Sequence, residues 1–278
     1  MKSLNCINYS KLGAKCPSAG AAVSAISLLG LLCLALVPTT SNAALVVVPG
    51  GNATVEGTPD GSASYYPFGS AGTPNTQRYQ QVYNGASFGF TGPQLITQIT
   101  FRPDATYGTA FSTTIPNIQI DLSTSSKTAG NLSTTFANNV GADDTVVFGS
   151  GSLALSSSFT AGLGNTKAFD IIINLATPFL YDPSMGSLLM DVRLKDSGYA
   201  SPVHYFDTQT SSLDGIARVS TGNAGNYLNT VADPMTSDTS GLVTQFSFSA
   251  VPEPGSYACL AGLSALGIMS LSVRRNRI

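Results

Sequence analysis

The chain has 278 residues, with 13 Lys and Arg against 15 Asp and Glu, a formal net charge of −2, 28 glycines and no tryptophan. Three of the basic residues lie near the N-terminus and three at the C-terminus, leaving seven against 14 acidic residues between them. A body of net charge about −7 excludes a nucleic-acid or anionic-membrane binder, because such proteins neutralise phosphates with clusters of Lys and Arg.

In chain order, residues 1–43 come first and carry the three parts of a secretory signal. Lys2, Lys11 and Lys15 supply the positive region, 21–37 is an uninterrupted apolar run, and Ser41-Asn42-Ala43 places small residues at a cleavage site before Ala44. An anchor helix that is never cut is the alternative, and Pro38 directly after the run argues against it. A lipoprotein signal fits less well, because Cys33 follows Leu31-Leu32 rather than a small residue.

Removal of both ends leaves 44–250, roughly 207 residues, enough to bury one full core. Its apolar residues recur at period two, which is the strand signature. Residues 45–48 read as an edge strand, and the stretch up to Pro74 otherwise reads as loops. Leu95, Thr97, Ile99 and Phe101 are expected on one face of a strand with Gln98 and Thr100 on the other. Ile118, Ile120 and Leu122 alternate with Gln119 and Asp121. Phe169, Ile171, Ile173 and Leu175 form a third stripe, and Leu188, Met190, Val192 and Leu194 a fourth. Between the last two, 176–186 contains Pro178, Pro183 and Gly186, which predicts a turn and antiparallel pairing of the flanking strands. Further strands are expected at 78–83, 145–148, 152–156, 203–206 and 216–220, a long surface loop over 221–241, and a last strand around Phe246 and Phe248. With no helical crossovers, the pattern predicts an all-β, antiparallel β-sandwich, jelly-roll-like, flanked by an N-terminal signal helix and a C-terminal hydrophobic helix.

The chain closes with Val251-Pro252-Glu253-Pro254-Gly255, an apolar stretch over 257–273, and Arg274, Arg275 and Arg277. As a helix, the apolar stretch would run roughly 25 Å, short of the roughly 30 Å hydrocarbon core. Gly262, Gly267, Ser264, Ser270 and Ser272 weaken it further, so it suits a segment held briefly in a membrane and then processed. Positive charge just beyond an apolar span stays on the cytoplasmic side, so the body is expected to face outward.

Motif, apolar helix and arginine cluster in that order at the chain end resemble the PEP-CTERM sorting signal. The resemblance covers 251–278. It implies that the membrane protease-transpeptidase exosortase is the partner, with cleavage near the Pro-Glu-Pro, in a Gram-negative-type bacterium with an exopolysaccharide or biofilm system. The basic cluster here is interrupted by Asn276, a slight departure from an unbroken run. The organisation expected is therefore 1–43 signal peptide, 44–250 sandwich domain and 251–278 sorting segment. Such a protein would reside at the cell surface, outer membrane or extracellular matrix, passing through an inner-membrane-held stage.

All four cysteines, Cys6, Cys16, Cys33 and Cys259, lie in the two ends, so the body has no disulfide and no thiolate metal site. Gly85-Ala86-Ser87-Phe88-Gly89 fits the G-x-S-x-G pattern of a hydrolase nucleophile elbow. That motif needs a helix directly after the serine, and Phe90-Thr91-Gly92-Pro93 does not begin one. His204 is the sole histidine and the sole base available to a serine triad, with Asp207 nearby to orient it. A glycosidase needs two carboxyl groups at a set separation, and Glu56 is the one glutamate of the body. No enzyme activity or resident cofactor is expected.

Calcium is the cation to consider, with Asp143 and Asp144 beside Asn138, Asn139 and Gly141 as the densest oxygen cluster, and Asp233 and Asp238 in the late loop. No D-x-D-x-D-G spacing supports it. Carbohydrate binding fits the compartment, and Tyr65, Tyr66 and Tyr199 lie in expected loops, although tyrosine in an all-β protein more often packs in the core. The reading is a non-enzymatic surface or matrix protein acting structurally or adhesively with exopolysaccharide; a secreted esterase or glycosidase and a carbohydrate-binding module are the alternatives.

Overall fold

The computed structural model describes residues 44–58, 64–69, 76–195, 203–222 and 226–251. The expected signal helix, Pro252, Glu253 and Pro254 of the expected sorting motif, the apolar tail with Arg274, Arg275 and Arg277, and Tyr199 lie outside these residues. Among the described residues no helix is long and apolar enough to cross a membrane.

The described residues form an all-β structure whose strands follow in chain order. They are β1 (Ala44–Val48), β2 (Gln77–Tyr83), β3 (Gln94–Phe101), β4 (Phe111–Ser125), β5 (Thr145–Ser157), β6 (Ile171–Tyr181), β7 (Ser187–Leu194), β8 (Thr208–Thr210), β9 (Ile216–Ser220), β10 (Ser240–Leu242) and β11 (Thr244–Ala250). One antiparallel sheet has the order β1-β11-β3-β6, a second has the order β5-β4-β7-β2-β9, and β8 pairs with β10. The two larger sheets share one core, as in a β-sandwich.

The core follows from alternation. Ile118, Ile120 and Leu122 of β4, Leu188, Met190, Val192 and Leu194 of β7, and Phe246 and Phe248 of β11 are all fully buried, as their period-two spacing predicts. Each such side chain contributes about 1.5 to 3 kcal/mol before chain entropy is subtracted. Tyr79, Gln81 and Tyr83 of β2 also point inward and keep their polar atoms satisfied. The Tyr79 hydroxyl donates to Gln81 Oε1 at 2.5 Å, Gln81 exchanges hydrogen bonds with the Leu242 backbone at 2.8 and 2.9 Å, and Tyr83 Oη lies 2.9 Å from Thr244 Oγ1.

Three expectations are corrected. First, the stripes at 169–175 and 188–194 are not a hairpin: β6 pairs with β3, whereas β7 pairs with β2 and β4 in the other sheet. Only 182–186 of the segment read as a turn is one, closed by Met185 N–H donating to Asp182 O; 176–181 is the second half of β6, which runs through Pro178 and buries Phe179 and Tyr181. Proline is accommodated because β6 is an edge strand and its pairing with β3 skips 175–178.

Second, Leu95 and Thr97 do not continue the inward face of Ile99 and Phe101. Both partners of β3 shift register around Thr97, so Phe248 and Phe179 pair with Ile96, and Ile96 is the buried residue. One extra residue at a bulge reverses the alternation on its far side.

Third, the face that carries Asp121 alongside Asp191 is not solvent-facing, whereas Gln119 stays half-buried beside Ser150 and Lys195. The loop over 126–144 covers that face, seating Leu132 and Val140 beside Val82 and Leu189, and Phe136 against Val219. Beneath that loop Asp191 accepts from Arg78, Arg193 and Gln80, while Asp121 accepts from Arg193 and Gln119.

Smaller differences follow the same logic. The strands expected at 145–148 and 152–156 are one strand, β5, whose register with β4 slips around its Gly149-Ser150-Gly151 segment. Of residues 203–206 Phe206 alone is bridged, to Ser64 and to Pro103, so no strand forms there, and 221–241 contains the short helical turn Pro234–Thr236.

Candidate functional site

The aromatic residues divide into two populations. Tyr79, Tyr83 and Tyr181 are core residues. Tyr65, Tyr66, Tyr107 and Tyr205 come from three loops at one end of the domain and touch in series. Ring centroids are 4.8 Å apart for Tyr65 and Tyr66, 6.3 Å for Tyr65 and Tyr205, and 6.1 Å for Tyr107 and Tyr205. Tyr65, Tyr66 and Tyr205 are half-buried and Tyr107 is 52 % exposed.

The backbone beneath them is laced into a small ladder. Phe206 bridges Ser64 on one side and Pro103 on the other, with its N–H donating to Ser64 O at 2.8 Å. Asp104 N–H donates to Tyr205 O at 3.1 Å, and Asp207 N–H to Arg102 O at 3.0 Å. Phe206 is buried against Phe68 and Phe101. Its neighbour Tyr205, one residue away, is directed to the opposite side. Gln77, itself buried, donates to Pro67 O at 2.7 Å and so holds the turn that carries Tyr65 and Tyr66. Asp104, also buried, caps the third loop by accepting from Thr106 and Tyr107 N–H at 2.8 and 2.7 Å.

Behind this ladder lies a buried ion pair. Arg102 Nε donates to Asp207 Oδ2 at 2.7 Å and Nη2 approaches the same oxygen to 2.6 Å, with both side chains 0 % exposed. Arg102 also donates to Val55 O, stacks over Phe169 at 4.8 Å, and Asp207 accepts from Gly57 N–H at 2.9 Å. Burial pushes the Asp207 carboxyl up to about 6 against the pull of Arg102, so it is an anion at neutral pH. Burial pushes the nearby Glu56 carboxyl up to about 7, although Ala105 N–H donates to it at 2.6 Å. The strap over 52–58 is thereby tied to the loops that carry Tyr107 and Tyr205.

The residues expected to carry chemistry are dispersed. Ser87 lies in the helical turn Gly85–Phe88, directly after β2, and no long helix follows: Gly89 turns the chain with φ 71°. That turn inserts Phe88 against Tyr181, Phe246 and Phe248. His204 stacks on Phe111 at 4.0 Å, and both of its ring nitrogens are buried without a hydrogen-bond partner. Burial lowers its pKa, so it is neutral at pH 7. It is therefore hydrogen-bonded to neither Ser87 nor Asp207, whose carboxylate is engaged by Arg102 and Gly57.

Asp143 Oδ1 accepts from Thr124 N–H at 2.7 Å and its carbonyl from the Thr145 hydroxyl at 2.8 Å, joining the ends of β4 and β5. Asp144 is exposed. Asp238 pairs with Arg218 at 3.0 Å, and Asp233 caps the turn Pro234–Thr236 through Met235 N–H. Among the described residues no group of three or more His, Cys, Asp or Glu is placed to hold a metal ion. Of the expected sorting motif, Val251 is described, following β11 directly and partly exposed.

Sequence reasoning singled out Tyr65 and Tyr66 and missed their convergence with Tyr107 and Tyr205. The single local signal was the Tyr65-Tyr66 pair in an expected loop. Comparison of the chain with protein families, characterised proteins and solved structures finds no match.

Proposed function

We propose that this chain is an exported cell-surface or extracellular-matrix protein, delivered by residues 1–43, sorted by exosortase through 251–278, and acting structurally or adhesively in an exopolysaccharide layer. The observation that carries this reading is the order of Val251-Pro252-Glu253-Pro254, an apolar segment and Arg274, Arg275 and Arg277 at the chain end. Two further features support it. The last strand, β11, closes at Ala250, directly before Val251, and β1 (Ala44–Val48) is the first strand of the described residues. These strands are paired neighbours, Ala44 opposite Phe248, so the domain's two ends leave from one end of one sheet.

A jelly-roll is the architecture we infer within the all-β class. Setting aside the short β8 and β10 and the outer β9, eight strands wrap as β1-β11-β3-β6 facing β5-β4-β7-β2. Along the chain they switch sheet at every step except from β4 to β5, the pattern of two interleaved Greek keys. The fold carries a functional reading only through its surface, because one architecture hosts many activities.

Mass spectrometry of protein extracted from the cell surface tests the sorting reading. The expected product begins near Ala44 and ends near Pro254. Recovery of the intact chain through Ile278 from the cytosol would overturn both address and role.

A further inference from the structure

We propose that the patch formed by Tyr65, Tyr66, Tyr107 and Tyr205 is a binding platform for a neutral, pyranose-based polysaccharide. The inference deepens the matrix reading by naming a ligand class, and depends on that reading only for the compartment where the polymer is met.

The first argument is exposure against position. The core tyrosines each have a hydroxyl partner and no access to solvent. These four are partly or largely exposed and come from sequence positions up to 140 residues apart, yet successive rings lie within 4.8 to 6.3 Å. An aromatic face is apolar and electron-rich, which suits the C–H-bearing face of a pyranose ring while the sugar hydroxyls remain in water. Successive rings are turned by 33°, 67° and 58°. The result is a twisted series of surfaces rather than a closed pocket, as a polymer requires.

The second argument is preorganisation. The bridges from Ser64 to Phe206 and from Phe206 to Pro103, together with the cap of Asp104 on Tyr107 N–H, fix the three loops from below. A platform already held in place loses little conformational entropy when a ligand arrives.

Composition around the rings decides between a sugar polymer and a protein partner. Protein interfaces centre on aromatic, aliphatic and methionine side chains packed together. None of the exposed large aliphatic side chains of the described residues falls in the loops over 64–69, 103–110 and 203–207. Charge decides between a neutral and an anionic polymer. The body is acidic, and the cation beside the patch, Arg218, is engaged by Asp238 at 3.0 Å and by Ser64 Oγ at 3.1 Å. A polyanion would meet repulsion without a compensating cluster.

Affinity electrophoresis of the full chain in native gels tests the proposal. The gels contain hydroxyethyl cellulose or galactomannan as neutral probes and alginate as the anionic one. The expected result is retardation in at least one neutral gel and none in alginate. Tyr107→Ala should weaken it about tenfold, because one stacked ring at a binding centre carries an effect of that order. Tyr107→Ala with Tyr205→Ala should abolish it, while Tyr107→Phe, which keeps the ring, should retain most of it. Thermal melting checks that each variant is folded; should the double variant fail to fold, the contrast between Tyr107→Ala and Tyr107→Phe decides.

Migration unchanged in every gel would overturn the proposal, as would retardation that survives Tyr107→Ala undiminished or occurs in alginate alone. Retention of another protein rather than either neutral polymer would also overturn it. Each of these outcomes is independent of whether the chain ends are cleaved, so failure of binding and failure of sorting are read separately.

Discussion

Arg102 and Asp207 show what a buried charge costs and why it persists. Neither side chain touches water, so removing one partner leaves an unpaired ion in an apolar site. Asp207→Ala is expected to destabilise the domain by about 3–5 kcal/mol. A double replacement, Arg102→Met with Asp207→Leu, should recover much of that loss, and chemical denaturation of the three variants measures both. Equal destabilisation of the single and double variants would mean that the pair itself stabilises the fold.

Glu56 makes a pH-dependent contribution of definite sign. Its carboxyl, raised by burial from 4.5 to about 7, binds its proton more tightly in the folded than in the unfolded state. The stability it contributes is thus fully present below pH 4.5 and is lost as pH rises through about 7. Asp207 and Asp214, raised by burial to about 6, act in the same direction, while His204, lowered by burial, acts in the opposite one below pH 6.5. Melting temperatures at pH 4.5 and 7 should therefore differ less unfavourably toward neutrality in Glu56→Gln than in the unmodified protein. An identical pH profile for the two would remove Glu56 from the account.

Among elements, the helical turn Gly85–Phe88 shows how a catalytic pattern can serve packing. Its third residue, Ser87, faces Gly215, where φ is 80° and an added Cβ would lie 2.5 Å from Ser87 Oγ. Its fourth, Phe88, is buried among aromatic rings. Phe88→Ala should cost about 3–5 kcal/mol by opening a cavity. Ser87→Ala should change stability by about 0.5 kcal/mol or less. Ester turnover by the unmodified chain that disappears in Ser87→Ala would reverse this reading. Asp143 has a comparable local task, since its carboxylate already accepts from Thr124 N–H. The melting temperature is expected to be the same in calcium and in chelator, and a clear rise with calcium would reinstate Asp143 and Asp144 as ligands.

The whole molecule was legible wherever the core-facing side of a strand alternates with polar residues. The stripes of β4, β7 and β11 are of that kind, and their buried residues were readable one by one, whereas the covering of the outer side of β4 and β7 was not. Legibility failed where a non-local partner intervened. The bulge at Thr97 is set by the register of β3 with β6 and β11, and the cover over Asp121 and Asp191 comes from a loop that follows β4. Pro178 reads as a turn until the strand that holds it proves to be an edge. The candidate platform failed for the same reason: Tyr65, Tyr107 and Tyr205 have nothing in common along the chain.

By itself, the sequence determined that the body is all-β, that its core carries no cysteine, and that both ends carry an apolar run with basic residues beside it. Those properties are local, because they depend on residue type and on spacing within a few positions. Sheet membership, the buried Arg102–Asp207 pair and the meeting of four tyrosines were decided only by the tertiary structure. Each depends on which distant strands and loops become neighbours, and that follows from the free energy of closing one core over the whole chain rather than from any short segment.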